Sequence, residues 1–184
     1  MIDFTGPNVW DESLRPDLDC DGDKVSEVEW LERTAPSLGH LDARVSLQWI
    51  YRHWGMSPYQ SLPLPRLSCV LETWTTQRIL HEVGWRLPEW DRQPEAYLEH
   101  FQGRAFEPFR SMDAIGTWDI PPIILATPSG IRTEKGEFPH VRYWLIEGHL
   151  RRRYLGALAS SEKGGGHRHA RHEIFVLALD AERA

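Results

Sequence analysis

The sequence predicts an α/β (α+β) protein: a small mixed sheet with flanking helices in residues 105–184, preceded by an acidic, tryptophan-rich and mostly helical half in residues 1–104. Three observations carry that prediction. Through much of the first hundred positions apolar residues recur at helical spacing. After Phe106 short continuous apolar runs take over, DIPPIILAT, VRYWLIEG and HEIFVLALD, each bounded by turn-forming residues. Between them stand one polar excursion and one helix-like stretch, which gives the order helix, strand, loop, strand, helix, strand. With 184 residues, 41% of them hydrophobic, the chain can bury one sizeable core or one core with an appendage.

Taken in order, residues 1–37 are punctuated by prolines until VSEVEWLERT, where Val25, Val28 and Leu31 predict a short helix. Leu41, Val45, Trp49 and Ile50 predict an amphipathic helix that stops at Gly55, ahead of Pro58. SPYQSLPLPRL is too rich in proline for a helix interior and reads as a connector or an edge. Leu67, Val70, Leu71, Trp74, Ile79, Leu80 and Val83 predict a helix ending at Gly84, and Pro94 opens another that runs to Gly103. FEPFRSMDAIGTW is a short helix closed by Gly116, and DIPPIILAT a buried strand despite its prolines. PSGIRTEKGEFPHV is a hairpin-like excursion, VRYWLIEG a second strand, LRRRYLGALASSE a helix, SEKGGGHRHA a loop and HEIFVLALD a third strand.

Charge and composition narrow the function classes. The net charge of −6 argues against a general nucleic-acid binder, which needs lysine and arginine to neutralise phosphates. The charge is also uneven. Residues 1–32 hold ten acids against Arg15 and Lys24, whereas residues 142–172 hold seven bases against Glu147 and Glu162. The basic end is the natural anion site, and the acidic end reads either as its intramolecular neighbour or as a separate surface for a protein partner. No run of 18 apolar residues exists and the first residues lack a secretory signal pattern, so the chain is expected in the cytosol, away from membranes. Cys20 and Cys69 form no CxxC or histidine-paired spacing, which leaves them as reduced thiols. The nine tryptophans read first as core packing, and otherwise as an aromatic contact surface.

The stretch YWLIEGHLRRRYLGAL, residues 143–158, concentrates the chemistry. A strand-to-helix turn offers backbone N–H groups without intrahelical partners and the positive end of the helix dipole. Gly148 would let a ligand approach the backbone, and Arg151 could fold over a phosphate with paired hydrogen bonds. For a helix starting near His149, Leu150, Tyr154, Ala157 and Leu158 form the buried face, and Arg152 is expected to point to solvent. The plainer reading is that three arginines merely solvate a helix face.

DIPPIILAT, a hairpin, YWLIEGHLRRRYLGAL and EIFVLAL together resemble the ParB and sulfiredoxin superfamily, over about residues 105–180. In its ParB branch the turn reads like GERR, in sulfiredoxins GCHR, and in ParB-like free serine kinases DGHHR. The resemblance implies Gly148 as the shared glycine and Arg151 as the phosphate-contacting arginine, with Arg152 beside it. His149 stands where sulfiredoxins carry their catalytic cysteine, so sulfinic acid reduction is not expected. Glu147 stands where the serine kinases carry aspartate, and Leu150 replaces their second histidine. By resemblance, then, Glu147 is a candidate base or metal ligand and His149 a phosphate contact or proton carrier. The implied ligand is a nucleotide such as ATP or CTP with Mg2+, or a phosphorylated small molecule. If catalytic, the protein would be a phosphotransferase or a nucleotide hydrolase. The chain ends at Ala184, shortly after the last expected strand, so centromere binding through helix-turn-helix segments is not expected.

Two further patterns are weighed and set aside. Asp17, Asp19 and Asp21 alternate before Gly22 as in a calcium loop, yet Lys24 holds the apolar eighth position and Val28 the place of the closing glutamate. Acids ahead of a helix are favoured by its dipole without any metal. His167, His169 and His172 in a glycine-rich loop lack a cysteine or carboxylate at fixed spacing, so no metal site is assigned. No GxSxG, Walker A or GxGxxG pattern appears. Beside the nucleotide reading stands one of another class: a non-catalytic interaction protein, an immunity protein or antitoxin, that recognises a basic partner.

Overall fold

Three of the helices begin where a polar side chain takes up a backbone N–H. Ser26 accepts from the Glu29 amide while Glu29 returns a bond to the Ser26 amide, a capping box that starts α1 (Glu27–Leu38). Asp42 accepts from the Arg44 amide at 2.9 Å and starts α2 (Ala43–Val45), which continues as the wider π-helical turns of Ser46–Tyr51. Thr75 caps α3 (Thr76–Glu82) through the Arg78 amide. α4 spans Glu107–Ile115 and α5 His149–Ser160. At the end of α4, Gly116 takes φ 71° and its N–H returns to the Met112 carbonyl, the expected glycine stop.

The strands are β1 (Ile2–Asp3), β2 (Leu67–Thr75), β3 (Val83–Gly84), β4 (Ile123–Ala126), β5 (Ile131–Thr133), β6 (Gly136–Phe138), β7 (Tyr143–Glu147) and β8 (Arg171–Leu179). They form two mixed sheets, ordered β1-β5-β6 and β2-β8-β4-β7-β3, so the class is α+β. The computed structural model describes residues 1–18, 24–86, 107–160 and 170–180. Among these, no helix is long and apolar enough to cross a membrane.

The chain divides into two compact units, each assembled from separated stretches. The first takes residues 1–69, 129–140 and 177–184, with α1, α2 and the three-stranded sheet. Its centre is aromatic: the Trp10 ring meets Trp49 edge-on at 5.4 Å and Trp54 at 5.2 Å, and Trp30 meets Tyr51 at 5.3 Å. The indole N–H groups are satisfied inside, Trp10 donating to the Leu62 carbonyl, Trp30 to Leu14 and Trp49 to the Ser57 hydroxyl. The second takes residues 70–128 and 141–176, with most of the five-stranded sheet and α3, α4 and α5. Its core joins Trp74, Ile79, Trp85, Met112, Leu145 and Tyr154 among others.

All eight described tryptophans are buried, which settles the choice between packing and a contact surface in favour of packing; Trp90 lies outside the described residues. The helices around residues 43–51, 107–115 and 149–160 and the strands at 123–126, 143–147 and 171–179 stand where the sequence predicts them. The helix expected over Leu67–Val83 is instead a strand followed by a helix. Val70 and Leu71, assigned to its buried face, are 58% and 39% exposed, so the helix-like spacing there was coincidental. In α1 the buried face is Trp30, Thr34 and Leu38 rather than Val25, Val28 and Leu31, because the large Trp30 ring sets which side turns inward. The helix expected from Pro94 to Gly103 lies outside the described residues.

Candidate phosphate-binding turn

β7 runs antiparallel to β4, and Glu147, its last residue, pairs with Ile123. The register shifts between Ile123 and Ile124, a bulge that bends β4 at its entry beside this turn. Gly148 follows with φ 98°, a left-handed conformation that reverses the chain between strand and helix. A Cβ at Gly148 would lie 2.7 Å from the Pro122 Cβ and 3.2 Å from the Pro122 Cα. The close approach that requires glycine is therefore made by the second proline of DIPPIIL. α5 begins at His149, as expected, and its first main-chain bond runs from the Arg152 N–H to the Gly148 carbonyl at 2.9 Å.

The side chains of this turn are drawn inward. Arg151 is 8% exposed and donates to the Ile120 carbonyl at 2.6 Å, which ties α5 to the segment before β4. Arg152, expected in solvent, is only 4% exposed. It donates to the Leu80 carbonyl of α3 at 3.2 Å and lays its guanidinium 4.6 Å from the centre of the Trp85 ring. Helical spacing assigned that position to the outer face, but α5 packs against both α3 and α4, and these cover its flanks. An arginine stem suits such a flank: its methylenes pack while the head finds carbonyl oxygens. The two guanidinium groups thus reach different elements, Arg151 the approach to β4 and Arg152 the end of α3. The half-buried His149 ring stands 6.3 Å from Trp85, and Glu147 is half-buried.

Several participants had no signal in the motif: Pro122, which seats Gly148, and Trp85, Leu80 and Ile120, which receive the histidine and the arginines. Pro122 stands in the same strand-entry segment that the resemblance quotes, but its role needs the β4–β7 pairing to be seen. Trp85 lies more than sixty positions before the turn, beyond the reach of any local spacing.

The other candidates fall elsewhere. Asp19, Asp21 and Gly22 of the acidic loop lie outside the described residues, as do His167 and His169. Asp17 pairs with Arg33 at 3.4 Å, and Lys24 donates to the Tyr51 and Arg52 carbonyls, where burial lowers its pKa. His172, grouped with the loop histidines by its spacing, belongs to β8 and is buried. Its Nε2 lies 2.9 Å from the Thr76 hydroxyl and its Nδ1 3.0 Å from that of Thr117, while Trp118 stacks at 4.7 Å. It is a packed, hydrogen-bonded core histidine. Among the described residues no group of three or more histidine, cysteine, aspartate or glutamate side chains could hold a metal ion. Comparison with known protein families, with curated proteins and with solved structures finds no match to this chain.

Proposed function

We propose that this is a ParB-like protein which binds a nucleotide, such as ATP or CTP with Mg2+, or a phosphorylated small molecule at the turn Glu147–Arg152. One observation carries the reading: the start of α5 is electropositive against the usual preference. Helix N-termini favour acidic residues, by about 0.3–1 kcal/mol each, because the dipole is positive there. α5 has no acid in its first turn, and Arg151, Arg152 and Arg153 follow at once, the first two with buried side chains. A bound phosphate would offset that concentration of charge, and the positive end of a helix dipole suits an anion. The observed order of helix, strand, hairpin, strand, helix and strand from residue 107 onward agrees with the resemblance. If turnover occurs, Glu147 is the candidate base and His149 the candidate proton carrier.

A second reading, a non-catalytic immunity protein or antitoxin that binds a basic partner, is favoured by a different observation. Main-chain carbonyls and the Trp85 ring already receive Arg151 and Arg152, which gives both a structural purpose. Meanwhile Asp3, Asp11, Glu12, Asp17, Glu27, Glu29 and Glu32 are all exposed in the first unit.

Thermal shift separates the two. Ligand at a hundred times its Kd adds about 2.7 kcal/mol, a rise of several degrees at this chain length. With ATP, CTP or GTP and Mg2+, the nucleotide reading expects such a rise in the parent and none in Arg151→Ala, each compared with its own unliganded melt. Flat curves for every nucleotide and for inorganic phosphate would abandon it in favour of the interaction protein.

A further inference from the structure

No further inference is drawn: the strongest candidate, the exposed apolar patch of Val70 and Leu71 on the β2 edge of the five-stranded sheet, carries nothing because nothing in the structure shows what covers it.

Discussion

Gly148 is the residue on which the turn depends. Two constraints coincide there: φ of 98°, which side chains with a Cβ rarely adopt, and Pro122 within 2.7 Å of where a Cβ would stand. Either alone is costly, and Pro122 cannot yield easily because its ring is rigid and it enters β4. Gly148→Ala should therefore lower stability by about 1–3 kcal/mol from the backbone conformation, with the contact adding to it. Chemical denaturation at neutral pH measures the loss. Gly136, with φ 123° and nothing within 4 Å of its Cβ position, provides the comparison, since Gly136→Ala carries the conformational penalty without the clash. Equal losses in the two variants would show that Pro122 gives way. The same residue shows what was readable from the sequence. A glycine between an apolar strand and a helix marked the turn correctly, while the partner that fills the space beside it was invisible. That partner depends on the pairing of Ile123 with Glu147, a long-range contact without local periodicity.

At the scale of elements, local rules served wherever one strong signal stood alone. The strand Tyr143–Glu147 and the helix from His149 were legible from an apolar run, a glycine and an apolar stripe. The segment Leu67–Val83 was not, because Leu67, Val70, Leu71 and Trp74 match a helical stripe while tertiary pairing holds them as an edge strand. Thr75 marks the true helix start by accepting from the Arg78 amide, and a threonine between two apolar runs was the overlooked cue. For the arginines of α5 the failure was one of environment, since helical spacing ranks positions by angle and cannot foresee a helix covered on both flanks. Capping yields a second prediction, at α2. The Asp42 pKa is lowered, chiefly by the hydrogen bond from the Arg44 side chain, which outweighs the opposing effect of burial. A folded value below the unfolded one means that the ionised cap stabilises above about pH 4 and that this contribution is lost as pH falls through the folded value. Asp42→Ala should thus be less stable than the parent by about 1 kcal/mol at neutral pH. The difference should narrow in strongly acidic solution. A gap that stays constant down to the acid limit would mean that neither the charge nor its bonds to Arg44 matter to the cap.

The whole molecule is interleaved, and that governs how it can be divided. The second unit draws its sheet from both halves of the chain: β8, β4 and β7 come after residue 105, but the flanking strands β2 and β3 come before it. Its core is shared in the same way, because Trp74, Ile79, Val83 and Trp85 precede residue 105 while Met112, Ile124, Leu145 and Tyr154 follow it. The first unit likewise needs residues 129–140, which supply β5 and β6 to pair with β1. A fragment of residues 105–184 would therefore keep the glycine turn and all three arginines of α5 yet lose Trp85 and the Leu80 carbonyl, which receive Arg152. Two open sheet edges and four missing core side chains remove far more than the few kcal/mol by which folded chains are stable. That fragment alone should show no cooperative thermal transition, and mixing it with residues 1–104 should restore one, read by near-ultraviolet circular dichroism from the tryptophans that become buried. A cooperative melt of residues 105–184 by themselves would mean that the strands and core side chains of the first half are dispensable, and that the turn, its helix and three strands suffice to make a folded site.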